Sequence, residues 1–106
     1  MEIASQFDVK RHDGSVEKLT EADLRTQVRG GKLLFEIMDR SGDVKKIWDP
    51  AKAVEVDDAR RSFEDLTKKG YKAFHCSNEK GDQGDQMKEF DPKAGRVIFI
   101  SPMVGG

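Results

Sequence analysis

The sequence closes on a run that determines its architecture, Arg96-Val97-Ile98-Phe99-Ile100-Ser101-Pro102-Met103-Val104-Gly105-Gly106. Val97 to Ile100 are four consecutive apolar residues that favour β-structure, and a run of this length is too short for a helix. Such a run is typical of a central strand that is covered on both faces of a sheet. Pro102 has no N–H group to donate to a ladder, so the strand is expected to end near Ser101. The remaining residues should therefore leave the sheet as a tail.

This tail ends in two glycines, which lack a Cβ atom and let an extended backbone enter a narrow cleft. The Gly106 carboxylate is the candidate reactive group, and Gly105 gives it a flexible approach. Met103 and Val104, together with Pro102, form the candidate docking segment of the tail. The other interpretation is a frayed end without chemistry, because chain ends are often poorly ordered.

The middle of the chain predicts a hairpin followed by a helix. Lys32 to Asp39 alternates apolar residues on one face, and Val44 to Asp49 returns after a turn at residues 40–43. The segment from Glu55 to Lys69 then carries an apolar stripe at helical spacing, formed by Val56, Ala59, Phe63 and Leu66. Gly70 is the expected end of this helix.

The last third of the chain predicts three strands. Tyr71 to Cys76 is an alternating strand, and Ser77 to Gln86 is a polar loop that contains two glycines. Met87 to Phe90 is a predicted short strand, and a turn at residues 91–95 leads into the final strand.

The first 31 residues predict a smaller hairpin and a short helix. Asp13-Gly14 is a turn signal that closes Gln6 to Arg11 onto Val16 to Leu19. Thr20 is followed by acidic residues, as at a helix N-cap, and Gly30-Gly31 marks the end of a two-turn helix.

From Lys32 onward the order is strand, strand, helix, strand, short strand, strand, and the tail ends in Gly-Gly. This order and tail resemble the β-grasp sulfur carriers, namely the small subunit of molybdopterin synthase and the thiamine-pathway carrier, and more loosely ubiquitin-like modifiers. The molybdopterin carrier also has a proline where Pro102 stands. The resemblance implies an α+β, β-grasp fold in which a mixed sheet packs on one main helix. It divides the chain into a hairpin and short-helix extension packed on the domain, a core and a flexible tail, at residues 1–31, 32–101 and 102–106.

The function implied by this resemblance resides in the carboxylate of Gly106. An adenylating enzyme would activate it with ATP, and a downstream acceptor protein would receive either sulfur or the carrier itself through an isopeptide bond. The chain would then be neither an enzyme nor the holder of a cofactor. The alternative is a small non-covalent interaction module, such as an accessory or mobile-element protein, whose Gly-Gly end is incidental. Residues 1–31 and the loop at 77–86 have no counterpart in the minimal carriers.

Composition limits the alternatives further. The 106 residues suit one domain, and nineteen basic against twenty acidic residues give a formal net charge of −1. This balance provides no strong field for nucleic acid or an anionic membrane, so neither is an expected partner. The start has no signal-peptide pattern and the single cysteine excludes an intrachain disulfide, so we expect a cytoplasmic monomer.

The side chains predict no active site and no metal site. His75 and Cys76 are adjacent, so on a strand they point to opposite faces and cannot act together; Cys76 is expected to be a buried apolar residue. His12 lies far from both in sequence, which leaves no zinc-ligand cluster. Acidic residues at 79, 82 and 85 lack the spacing of a calcium loop.

Overall fold

The computed structural model describes residues 5–39, 42–76 and 83–102. These residues form an α+β fold with a seven-stranded mixed sheet and two helices. In chain order the elements are β1 (Gln6–Lys10), β2 (Val16–Thr20), α1 (Glu21–Arg29), β3 (Leu33–Asp39), β4 (Gly42–Trp48), α2 (Ala53–Lys68), β5 (Lys72–Cys76), β6 (Gln83–Met87) and β7 (Arg96–Ile100).

The last strand is central, as the sequence predicts. The strand order across the sheet is β2-β1-β4-β3-β7-β5-β6. β7 runs parallel to β3, with Phe35 opposite Val97 and Ile37 opposite Phe99, and antiparallel to β5. Val97 and Phe99 lie in the core on the α2 side, and Ile98 on the other face is 8% exposed, so burial of both faces explains why Val97 to Ile100 is continuously apolar.

Helix α2 packs on the face of the sheet that carries the larger core. Alternation along β3 turns Leu33, Phe35 and Ile37 to this face, as predicted. Phe63 of α2 is 3% exposed and lies edge-on to Phe99, with 5.6 Å between ring centroids. The helix is also tied to the sheet by a hydrogen bond of 2.9 Å from Trp48 Nε1 to an Asp58 carboxylate oxygen.

Helix α1, predicted as a short helix of the N-terminal extension, covers part of the opposite face, so a sheet packed on one main helix is not an exact description. The Thr20 side chain accepts from the Asp23 N–H, and the Asp23 carboxylate accepts from the Thr20 N–H, which forms a capping box at the predicted N-cap. A second buried cluster lies beneath α1 and the first hairpin, made of Val9, Leu19, Leu24, Leu34 and Ile47. The sheet has an apolar patch on each of its faces. Helix α2 covers the larger patch, and α1 helps to cover the smaller one.

The first hairpin belongs to the same sheet. β1 pairs antiparallel with β2 around the predicted turn and parallel with β4, with Val9 opposite Lys45. The N-terminal segment therefore extends the sheet beyond β4 and occupies the edge that β4 would otherwise present.

Two predicted boundaries are corrected. The short strand expected at Met87 to Phe90 lies earlier, at Gln83–Met87, and only residues 77–82 of the expected loop fall outside the described residues. β6 is held by its antiparallel pairing with β5, where the register shifts between Phe74 and Cys76. α2 begins at Ala53, two residues before the expected start, and its Glu55 side chain is buried, accepting a 3.1 Å hydrogen bond from the Asp49 N–H.

Candidate functional site

The described part of the candidate site is the point where the tail leaves the sheet. Met103, Val104, Gly105 and Gly106, the predicted docking and reactive residues, lie outside the described residues. Pro102 is the one predicted site residue that the structure places. The site can therefore be built from the end of β7 and the elements that surround it.

Ser101 continues the ladder of β7 by one residue. Its N–H donates to the Met38 carbonyl oxygen at 3.0 Å, and the residue is buried. Pairing with β3 thus persists to the position immediately before Pro102, where the missing N–H ends it. This agrees with the predicted end of the strand and fixes the origin of the tail at the carboxyl end of the central strand.

Pro102 packs against the turn that follows α2. Gly70 has φ = +96°, a left-handed conformation in which a side chain is strained, and a Cβ placed there would lie 3.3 Å from Pro102 Cγ. The Tyr71 N–H donates to the Leu66 carbonyl at 3.0 Å, which closes the helix end. Gly70 therefore allows both the left-handed turn that ends α2 and the close approach of Pro102.

The surface beside this exit is basic on one side and apolar on the other. Lys68, Lys69 and Lys72 are exposed, the first two at the end of α2 and the third opposite Ile100 in the β5–β7 register. Met38, opposite Ile100 on β3, is 39% exposed. The described residues thus place the start of the tail beside three exposed lysines and one half-exposed methionine.

A buried ionic network, which the sequence analysis did not identify, lies on the α1 side of the sheet. The Arg96 guanidinium bonds to the Glu36 carboxylate and to Glu21 of α1, the latter at 2.8 Å. The Lys45 ammonium lies 3.8 Å from Glu36, contacts Asp43, and is 4.4 Å from the Phe7 ring centroid. The network joins α1, β3, β4 and β7 through charges rather than through apolar contact.

Burial of Arg96 would by itself lower its pKa, but the Glu21 hydrogen bond and the Glu36 charge outweigh that effect. The pKa of Arg96 is therefore raised, and the guanidinium stays charged. The available sequence signal was Glu36 within an apolar strand and Arg96 at the start of an apolar run.

The side chains considered for catalysis or metal binding are dispersed. Cys76 is buried and the adjacent His75 is exposed on the other face, as predicted. His12 Nδ1 lies 3.5 Å from a Glu55 carboxylate oxygen, far along the fold from both. Over residues 5–39, 42–76 and 83–102, no group of three or more His, Cys, Asp or Glu side chains is placed to hold a metal ion.

Two further observations concern the molecule as a whole. Neither helix in the described ranges has the length and apolar character that crossing a membrane requires. Comparison with protein-family models, with curated proteins and with solved structures gives no match.

Proposed function

We propose that residues 32–101 form a β-grasp fold and that the chain is a ubiquitin-like protein whose Gly106 carboxylate is activated by an adenylating enzyme. Support for the fold comes from the order of the last five strands, β4-β3-β7-β5-β6. A first hairpin, a helix that crosses one face and a final strand inserted parallel to the first strand of that hairpin make up the β-grasp topology.

The observation that carries the functional proposal is the origin of the tail. Ser101 is the last described residue that pairs in the sheet and Pro102 is exposed, so the tail begins at Pro102, at the carboxyl end of the central strand. A tail that starts there and ends in two glycines suits a cleft that admits backbone and excludes side chains. The proposal takes Gly106 as the terminal residue of the functional protein.

In the proposed reaction, a Gly106 carboxylate oxygen attacks the α-phosphorus of ATP, and pyrophosphate leaves. A sulfur atom of a partner protein then attacks the carbonyl carbon of the acyl-adenylate, and AMP leaves. If this sulfur is the outer sulfur of a persulfide, a second thiol attacks the cysteine sulfur of the resulting acyl disulfide, which releases the thiocarboxylate and leaves a disulfide on the partner. If it belongs to a cysteine thiolate, the thioester passes to a lysine amine and forms an isopeptide bond.

The chain's own contribution is a carboxylate, a narrow approach and a docking surface. Its partners in this proposal are the adenylating enzyme and an acceptor protein in the cytoplasm, and it acts as a monomer without a cofactor. The basic strip of Lys68, Lys69 and Lys72 lies beside the exit, where an activating enzyme would contact the domain. Catalytic acids and bases belong to that enzyme.

The test combines tail variants with mass analysis. We expect deletion of Gly106, or Gly105→Trp, to abolish the ATP–pyrophosphate exchange that the native chain supports with its cognate adenylating enzyme. The free energy of unfolding should stay within about 0.5 kcal/mol, because both residues follow the last paired position. Cys76→Ala is the control and should retain exchange. Intact-mass analysis of the native protein should show a free Gly106 terminus, its thiocarboxylate or a conjugate.

The alternative function makes the opposite prediction. A non-covalent interaction module keeps its cellular activity when Gly106 is deleted, and its native form carries neither thiocarboxylate nor conjugate. Retained activity in the tail variants, or a native chain that continues beyond Gly106, would exclude the carrier proposal.

A further inference from the structure

The two outer edges of the sheet differ in how they are protected. At β2, the exposed side chains Glu17 and Lys18 form ion pairs across the hairpin with Arg11 and Asp8, the second at 2.9 Å. Charged residues along an edge strand oppose pairing with a further strand. β6, at the other edge, contains the single charged residue Asp85 among polar residues, a glycine and a methionine.

β6 therefore presents an open edge. Alternate residues of an edge strand turn their N–H and C=O groups away from the sheet, and the strand order ends at β6 among the described residues. Its pairing with β5 is regular at Ala73–Met87 and Phe74–Gln86. Regular pairing at these two positions favours addition of a strand along this part of the edge, whereas the register shift lies between Phe74 and Cys76.

A pocket of about 610 Å³ adjoins this edge on the α2 side of the sheet. Its lining combines apolar surface with two carboxylates and an imidazole, and consists of His75, Met87, Glu89, Phe90, Asp91 and Ala94. Met87, Phe90 and Ala94 are half-buried against the main core, whereas Glu89 and Asp91 are exposed. An apolar floor with an acidic rim suits a long side chain that ends in a positive charge.

The nearby basic residues do not cancel the attraction between the acidic rim of the pocket and an incoming positive charge. Lys88 and Lys93 are neighbours in sequence, but neither lines the pocket. The Arg60 guanidinium lies 5.5 Å from the Phe90 ring centroid and is paired with Asp57, and Arg60 also stays outside the lining. One guanidinium therefore already lies near the Phe90 ring.

We propose that β6 is a docking edge for an extended segment of a partner protein, which adds as a strand and inserts an arginine or lysine side chain into this pocket. An added strand points alternate residues to the α2 side, where the pocket opens beside Met87. Backbone pairing supplies the affinity, and the acidic rim selects the basic side chain.

A second copy of the chain fits this edge less well than such a segment. If β6 paired with β6 of another copy, the side chains that approach the pocket would be those of the second copy's β6, such as Met87 and Asp85. None of them is a cation, and Asp85 would meet the carboxylates of Glu89 and Asp91. Like charges at this position oppose the symmetric pairing.

The probe is a capped five-residue peptide of sequence threonine-valine-arginine-valine-threonine, titrated into the full chain to about 1 mM while amide spectra are recorded. We expect shifts and slowed amide exchange at residues 84–87, together with shifts at Phe90 and Asp91. Replacing the peptide's arginine with glutamine should weaken binding about tenfold, because the ion pairs and the ring contact are lost. The same peptide with N-methyl groups on alternate amides should not bind.

Matched protein variants complete the test. Glu89→Gln combined with Asp91→Asn should weaken binding of the arginine peptide about tenfold and leave the glutamine peptide unchanged. Asp8→Asn combined with Glu17→Gln removes the same charge at the opposite edge and should change neither affinity. The proposal is wrong if no shift appears, if the N-methylated peptide binds equally well, if both peptides bind alike, or if the chain dimerises through β6 without peptide.

Discussion

At the scale of single residues, Phe63 is a buried aromatic side chain through which α2 packs on the main core. It is 3% exposed and lies between Phe90 and Phe99, with ring centroids 5.9 and 5.6 Å away. We expect Phe63→Ala to lower the free energy of unfolding by about 3–5 kcal/mol, because it removes apolar contact and leaves a cavity. Denaturant unfolding measures this change.

The matched control lies on the same helix. Val54 is 65% exposed, so Val54→Ala should change stability by no more than about 0.5 kcal/mol. A loss below about 1 kcal/mol for Phe63→Ala would show that the ring is not enclosed in solution.

Arg96 stabilises the fold in a different way, by compensating buried negative charge inside the sheet. Arg96→Met leaves Glu36, itself 5% exposed, without its strongest partner. We expect a loss of about 3–5 kcal/mol in chemical denaturation, the cost typical of breaking a buried ion pair. Arg60→Met removes an exposed partner of Asp57 and should cost less than about 1 kcal/mol.

A second substitution separates the charge from the packing of Arg96. Glu36→Met added to Arg96→Met removes the stranded carboxylate and should recover most of the stability. A double variant as unstable as the single one would mean that the aliphatic part of Arg96 matters more than its charge.

At the scale of elements, the capping box decides how well α1 is formed. Thr20→Ala removes the side chain that accepts from the Asp23 N–H, and we expect a loss of about 1 kcal/mol in thermal or denaturant unfolding. Thr26→Ala, on the exposed side of the same helix, is the control and should stay within about 0.5 kcal/mol. Equal losses of stability for Thr20→Ala and Thr26→Ala would show that the loss does not come from the cap.

The same box makes α1 sensitive to acid. The backbone hydrogen bond from Thr20, followed by its side-chain bond, lowers the pKa of Asp23 below its ordinary value of 3.8. A lowered folded-state pKa stabilises the fold above pH 3.8, and this contribution disappears as the pH falls through the folded-state pKa. The stability difference between the native chain and Asp23→Ala should therefore shrink below that pH in unfolding titrations. A difference independent of pH would exclude the cap as its source.

Local patterns predicted most elements because most carry their own signals. The capping box at Thr20, the stripe through Phe63 and the apolar run at Val97 each depend on neighbouring residues. β6 was misplaced because Gln83–Met87 has one apolar residue and is held by backbone pairing with β5. The apolar surroundings of Glu36 and Arg96 indicated burial, but their pairing could not be predicted, because the two residues lie 60 positions apart in sequence.

For the candidate site as well, one part could be predicted from the sequence and another could not. The end of β7 at Pro102 followed from the chemistry of proline. The contact between Pro102 and Gly70 could not be predicted, because it depends on where the end of α2 lies relative to β7, and no local sequence pattern specifies this.

At the scale of the whole molecule, the N-terminal segment covers surface that the remaining chain cannot hide. Leu34 and Ile47 are fully buried beneath α1 and the first hairpin, and β1 pairs with β4. We expect deletion of residues 1–31 to reduce stability and to promote self-association, measured by unfolding and by size-exclusion chromatography.

A compensating variant distinguishes exposed apolar surface from loss of the fold. In the shortened chain, Leu34→Thr with Ile47→Thr should reduce self-association, because the uncovered patch becomes polar. A shortened chain that stays monomeric and equally stable would instead show that residues 32–102 are sufficient by themselves.

The central position of β7 also sets the order in which the protein can mature during synthesis. β3 and β5 both emerge from the ribosome before the strand that separates them, and each waits with an unpaired edge. At about 5–20 residues per second, that wait lasts for seconds. The nascent chain is thus most exposed to mispairing immediately before Arg96 to Ile100 appear, and slower translation upstream of Arg96 would lengthen its dependence on chaperones.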